Sequence, residues 1–523
     1  MLRLPHLAAA ALALLPVLAF PVAAQDPYMP GLRWSEAATA SQPWIARRVA
    51  FAGDAQAVWA GRAVGTPAAT LYAGTDGQTL EVAFDAPLPG AVGLVEVATG
   101  RGLGELYVLA QYPGTAGKQT IVERYSAFLD PSQPQVWSAP VGAPANGGGL
   151  LAVAPSGVWV ARFDAGAGRV HLTALDADTG AELLTRSMPA AALRGLAASA
   201  DGARIALALG DRVAVWSAAG DELASFAQPQ SNEAFALSAD GRVLAAGRMG
   251  EVALYEASGS AFAPAGSAFV GAPWLPTRAA LSADGAVLAV GFWNSQTADA
   301  IRFCLWDRAA GTKLHDVTQT GVFGGFQNFP EALALTPDGQ RMLAGAWGSG
   351  GPHPQLMLLD RDQAEPVLST YTPGSVLAVA LDATGTQLTA AVKSGHANQF
   401  STTGFVQRYA TGERDLQLIG SVTAGQPFLL TSRQPQSLAS LFVFGQALTP
   451  PVTHPAFGGL LAIDPAKPYT HYLRVADGTG RADLFGSVPP GPAFVGLALE
   501  TQVVFLGPLG LELSSATPTL AVH

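Results

Sequence analysis

Cysteine is almost missing from this chain: Cys304 stands alone among 523 residues, so no internal disulfide can form. Stability must then come from packing, and Cys304, set between Phe303 and Leu305, reads as a small buried hydrophobe rather than a reactive thiol. Charge is sparse as well, at 13% of residues, and lysine is confined to Lys118, Lys313, Lys393 and Lys467. With a net charge of −10 and no basic cluster, nucleic acid and anionic membrane surfaces are poor partners. Helical apolar spacing is missing after residue 24, which excludes a bundle. No later apolar run approaches the roughly 18 residues that a membrane span needs.

What is abundant is glycine (59) and proline (38), and they punctuate a repeat. Leu196–Gly202, Phe235–Gly241 and Ala280–Gly285 each end in Ser-Ala-Asp-Gly and lead into three further apolar runs closed by Ala-Gly or Ser-Gly turns. The same turn is marked by Gly53, Gly100, Gly157, Gly202, Gly241, Gly285, Gly339 and Gly385, about 47 residues apart. Four short strands at this period define a β-propeller blade. The expectation is an all-β chain: an eight-bladed β-propeller over 45–421 (seven blades if the irregular unit over 92–138 is not one), its eighth unit taking 413–421 as fourth strand. Beyond residue 421 the rhythm stops, yet short apolar runs continue, so 424–523 reads as a small β-sandwich.

The first 24 residues read as a signal peptide: Arg3, then the apolar stretch Leu7–Phe20, then the small residues Val22-Ala-Ala24. The mature chain is therefore expected to be exported, to the periplasm, the cell surface or outside the cell.

The repeats resemble those of WD40-type and related bacterial propeller proteins. Ser-Ala-Asp-Gly matches that family's turn after the first strand, and Trp306-Asp307 matches its namesake pair. Trp216, Tyr255, Tyr409, Tyr72 and Tyr125 occupy equivalent places, with Leu175 and Leu359 in two units; the Gly-His pair of the family is missing. The resemblance implies an architecture over roughly 45–421, not an activity. Gly459–Pro465 and Val495–Gln502 are similar to a module that ends other exported bacterial proteins.

In a propeller the first-to-second and third-to-fourth turns share one face, and the remaining loops share the other. Here the first set is short throughout, while the opposite loops grow long and aromatic in units six to eight. That face gathers Trp274, Trp293, Asn294, Phe326, Asn328, Trp347, His353 and His396. Ring faces with amides suit recognition of an extracellular polysaccharide or a protein, although each ring could instead fill a gap between blades.

Other chemistry finds little support. His353 and His396 lack paired metal-ligand spacing and read as surface loop residues, and Asp176-Ala-Asp-Thr-Gly180 lacks the later ligands of a calcium loop. The latter stretch is similar to the docking turn of quinone-dependent dehydrogenases, with Leu184 where that motif wants Trp. Gly114–Thr120 is not a phosphate loop, and no Gly-x-Ser-x-Gly elbow occurs. The first strands, read as Leu196–Ser199, Phe235–Ser238, Ala280–Ser282 and Ala332–Thr336, repeat no ionisable residue. Neither metal nor cofactor is expected, and a non-catalytic binding scaffold leads. The alternative is a propeller enzyme: a hydrolase or lyase acting on sugars or lactones, or a degenerate quinoprotein dehydrogenase.

Overall fold

The computed structural model describes residues 32–38, 43–52, 57–64, 68–73, 82–83, 93–99, 105–114, 117–126, 135–142, 149–228, 232–259, 261–320, 327–348, 353–363, 366–370, 372, 374–410, 416–419, 427–433, 437–453, 460–476, 481–487, 498–507, 510–513 and 519–521. The expected leader 1–24 lies outside them, as do Gly53, Gly100 and Phe326. Two compact units emerge, Arg33–Thr411 and a second made of Met1–Leu32 with Gly412–His523. Among the described residues no helix is long and apolar enough to cross a membrane.

The larger unit is all-β, and its described residues form eight four-stranded sheets. Their first strands are, in chain order, Ile45–Ala52, Gly93–Thr99, Gly149–Ala154, Gly195–Ala198, Phe235–Leu237, Trp274–Leu281, Pro330–Leu335 and Val376–Leu381. Each first strand packs on the first strand of the next sheet, and Val376–Leu381 packs back on Ile45–Ala52, so the cycle closes. The stretch 92–138 does form a sheet: Gly93–Thr99, Glu105–Gly114, Gly117–Ser126 and Gln135–Pro140.

The eighth sheet corrects the sequence reading. Its fourth strand is Leu32–Ala37, beside Gly404–Ala410, and not 413–421. Leu416–Ile419 pairs instead with Pro427–Arg433 of the other unit. Completing the last sheet with an N-terminal strand staples the two ends of the cycle through backbone hydrogen bonds. Ala38 N–H extends that contact by donating to Gly404 O at 2.9 Å.

Alternation makes the second and third strands the core, since both of their faces are covered by neighbouring sheets. Trp59, Trp159, Phe292 and Phe303 are fully buried there, as is Cys304. Each such large side chain contributes about 1.5–3 kcal/mol through burial. The large residues singled out at the end of the third strands are all buried: Tyr72, Tyr125, Leu175, Trp216, Tyr255, Trp306, Leu359 and Tyr409. At five of them the ladder to the fourth strand shifts register, which bends that strand outward.

One face of the cycle is locked by its turns. Ser238 Oγ–H donates to Asp240 Oδ1 at 2.6 Å, and that carboxylate accepts from Arg242 N–H at 2.9 Å. Ser199–Asp201, Ser282–Asp284 and Thr336–Asp338 repeat the bond at 2.6, 2.7 and 2.6 Å. Neighbouring turns then bond to each other, Asp240 N–H to Ala283 O at 2.9 Å and Ala283 N–H to Pro337 O at 2.7 Å. Asp-Gly thus recurs because a short carboxylate closes the turn while glycine takes the left-handed residue after it.

In the smaller unit, Leu416–Ile419, Pro427–Arg433 and Arg481–Ser487 form a three-stranded sheet. A five-stranded sheet is built around Ala439–Gly445 and Ala498–Gly507. The two share a core of Leu416, Leu430, Phe442, Phe444, Leu484, Val503 and Phe505.

Candidate functional site

The starts of the first strands, opposite the locked turns, are irregular. The ladder to the second strand shifts register between Ala46 and Arg48, Leu94 and Glu96, Pro276 and Arg278, Pro330 and Ala332, and Val376 and Ala378. Each shift inserts one extra residue, and such bulges re-aim side chains. Among the inserted residues, Arg47, Glu331 and Leu377 line a cavity of about 510 Å³ where the first strands meet. Arg48, Glu233, Arg278, Trp347, Lys393 and Ser401 also border it. The bounds read from sequence for two first strands, Ala280–Ser282 and Ala332–Thr336, which held no ionisable residue, therefore need correction. The strands at the sixth and seventh sheets begin at Trp274 and Pro330, earlier than read, and so include Arg278 and Glu331.

The charges are mostly tied together. Arg278 bridges two sheets, with its guanidinium donating to Glu233 Oε2 at 2.6 Å, to Glu331 Oε1 at 2.9 Å and to Glu331 O at 2.6 Å. Glu331 Oε2 accepts the Trp347 indole N–H at 3.1 Å. Across the cavity Arg48 forms a two-pronged ion pair with Glu96. Burial opposes the Arg48 charge, but Glu96, and farther off Glu331 and Glu233, outweigh it and raise its pKa.

Two cations differ. Lys393, 9% exposed, gives its ammonium protons to the carbonyls of His396, Ala397 and Gln399 and, among the described residues, meets no carboxylate. Burial first, and then the charge of Arg47, lower its pKa from the ordinary lysine value. Arg47 is exposed, and among the described residues its guanidinium has neither hydrogen bond nor ion pair.

Two of the rings chosen from sequence, Trp293 and Trp347, are joined in a row by Phe329, which was not chosen. Phe329 lies 5.8 Å from Trp293 and 5.0 Å from Trp347, and the His396 ring stands edge-on to Trp347 at 6.1 Å. Among the described residues of the chosen set, Trp347 alone borders the cavity. Trp293 donates its indole N–H to Ala298 O at 2.9 Å, and Trp274 packs on the core beneath the Arg302 guanidinium. Asn294 closes its own turn, accepting from Gln296 and Thr297 N–H at 2.9 and 3.1 Å.

Asn328 is 1% exposed, and its side-chain oxygen accepts from Phe329 and Gly348 N–H. This amide holds loops together and faces no solvent. His396, expected on the surface, is 8% exposed, with Nε2 2.8 Å from Gln327 O and 2.9 Å from Gly348 O. One proton serves those two acceptors, so the ring is a strap between loops. His353 is half-buried, and among the described residues no three His, Cys, Asp or Glu side chains come together as a metal site.

Sequence reasoning also passed over Phe400. It is 96% exposed on the loop that carries the cavity residues Ala397 and Ser401. An aromatic ring left in water beside a cavity is a signal that loop composition alone does not give.

Asp176–Gly180 is a strand-connecting turn, as its hydrogen bonds show: Asp176 Oδ1 accepts from Asp178 N–H and from both Thr179 donors. Those bonds, the Thr179 hydroxyl foremost, hold its carboxyl below the usual carboxylate range. The Trp137 ring of the preceding sheet lies on Gly180 and donates its indole N–H to Ala177 O at 3.0 Å. So a tryptophan does dock on this turn, from the neighbouring sheet.

No protein-family description matches the chain, and no curated protein matches it. Among solved structures it is similar to the Dos1 propeller, at 12% identity over 73% of this chain and 95% of that one, with a TM-score of 0.49. It is likewise similar to Chaetomium thermophilum Sqt1 bound to the N-terminus of ribosomal protein L10, at 14% identity over 70% and 96% of the two chains, TM-score 0.49. At these identities the account of the fold rests on the sheets themselves.

Proposed function

We propose that this chain is an exported, eight-bladed propeller scaffold, followed by a β-sandwich module, that binds a polysaccharide or a protein at the loop-face mouth of its axis. The cavity of about 510 Å³ carries this reading, because its volume falls within the range of roughly 300–1,000 Å³ typical of ligand sites. Trp347 in its wall and Phe400 beside it offer ring surface, and the bridged charges offer direction. Trp293, Phe329 and His396 support Trp347 from behind. The pairing of Glu233 and Glu331 with Arg278 favours binding over proton transfer, since both carboxylates are already engaged as acceptors.

The test is a binding screen of the full chain against soluble polysaccharides and purified surface proteins, run beside Ala397→Trp and Phe400→Ala. Ala397 lines the mouth, so a tryptophan there fills it, while Phe400 touches too little to matter for folding. A ligand held by the parent and lost on Ala397→Trp supports the reading. A ligand held equally by both variants places binding elsewhere and defeats it.

A further inference from the structure

Resting on that reading, we infer that the cavity contains a carboxylate subsite made by Arg47 and Lys393, and that its ligand is an acidic saccharide of the uronate type.

The charges bordering the cavity do not balance. Arg278 is bound by Glu233 and Glu331, and Arg48 by Glu96, which leaves Arg47 and Lys393 as cations without a carboxylate among the described residues. Both face the same space, and the Arg47 charge acts on Lys393. Two like charges beside one cavity repel, and an anion placed between them reverses the sign of that interaction. Lys393 is nine-tenths buried, and its hydrogen bonds to three carbonyls leave its charge uncancelled. Arg47 sits on a bulge at the cavity's edge, and its guanidinium fork makes no ion pair among the described residues.

The rest of the wall narrows the ligand. Glu233 and Glu331, fixed by Arg278, can accept hydrogen bonds and repel further acid groups. A ring that carries hydroxyl donors and one carboxylate satisfies both halves of the wall, and Trp347 adds apolar surface for its face. An acidic peptide brings the carboxylate without the cluster of hydroxyl donors, so the wall favours the saccharide.

The experiment titrates the full chain calorimetrically with oligogalacturonate, with the same oligomer fully methyl-esterified, and with a Glu-rich peptide. Parent and Arg47→Gln are compared; among the described residues the Arg47 guanidinium has neither hydrogen bond nor ion pair, and its charge repels Lys393, so the variant is expected to unfold at no lower temperature than the parent. The acid oligomer is expected to bind at least about tenfold more tightly than the ester, as charge-assisted hydrogen bonds require. Arg47→Gln is expected to erase that preference. Equal binding of acid and ester, or a preference that survives Arg47→Gln, overturns the subsite. Binding of the peptide alone overturns the saccharide assignment. If only the ester binds and Ala397→Trp abolishes it, the scaffold reading stands and the carboxylate inference falls.

Discussion

Replacing Gly285 by alanine tests whether the locked turns carry the ring's stability, and Gly259→Ala supplies the reference. Both glycines are left-handed, with φ of 68° and 65°. An added Cβ therefore costs about 1–2 kcal/mol in backbone strain at either position. Their surroundings differ. A Cβ on Gly285 would lie 2.4 Å from Val243 Cγ2 and 2.6 Å from Val243 Cβ, in the neighbouring sheet, whereas nothing lies within 4 Å of one on Gly259. Val243 is β-branched and held in its strand, so it cannot rotate away, and overpacking of this kind adds about 1–3 kcal/mol. The effect of alanine on the unfolded chain is common to both variants and cancels. Gly285→Ala is thus expected to lose about 1–3 kcal/mol more than Gly259→Ala. Urea unfolding followed by tryptophan fluorescence reads this unit alone, because all 10 tryptophans fall between residues 34 and 347. Equal losses in the two variants would show that the contact between adjacent turns has no weight, and would refute the argument.

Two further outcomes follow from contacts between strands. Trp137→Ala removes the ring lying on Gly180 and the bond to Ala177 O, so the same fluorescence titration should show a loss of about 2–4 kcal/mol, below the full cost of a buried tryptophan because Trp137 is half-buried. Asp316 titrates in the opposite sense to its burial: burial pushes its carboxyl up, but the bonds from Arg302 and Lys313 prevail and hold it at about 2. A folded pKa below the unfolded one gives stability that is full above about pH 5 and lost as pH falls toward 2. Asp316→Asn should flatten that part of the stability profile and leave the slope above pH 5 unchanged.

The periodic part of the fold was legible because turn chemistry is local. Ser282, Asp284 and Gly285 form one hydrogen-bonded turn within four residues, and the sequence displays it whole. Closure was not, because it joins residues far apart in the chain. Leu32–Ala37 and 413–421 are both short stretches able to form a strand, and only the pairing with Gly404–Ala410 decides which completes the eighth sheet. Loop length pointed to the face on which the cavity lies, while the residues lining that cavity were not legible. Rings such as Trp293 draw attention by size, yet Phe329 and Ala298 O occupy this one inside the row. Arg47, Arg278 and Glu331 escape a repeat search because a bulge beside each one displaces it by a residue. A charged residue just ahead of the apolar run that repeats in the first strands, as at Glu233, Arg278 and Glu331, is the signal that would have found them.

Stability alone does not explain those charges. Only 13% of the chain is charged, yet Arg47, Arg48, Glu233, Arg278, Glu331 and Lys393 border one cavity. Ion pairs removed from water recover little more than their desolvation cost, and apolar residues of similar size would pack the same strands at least as well. The opposite ends of the first strands show that solution: turn bonded to turn, with valine against glycine. The two ends of one set of strands therefore divide the work. The closed end fixes the spacing of the sheets, and that fixed spacing lets the other end, bulged beside Arg47, Arg48, Arg278 and Glu331, gather six charges around a space large enough for a ligand.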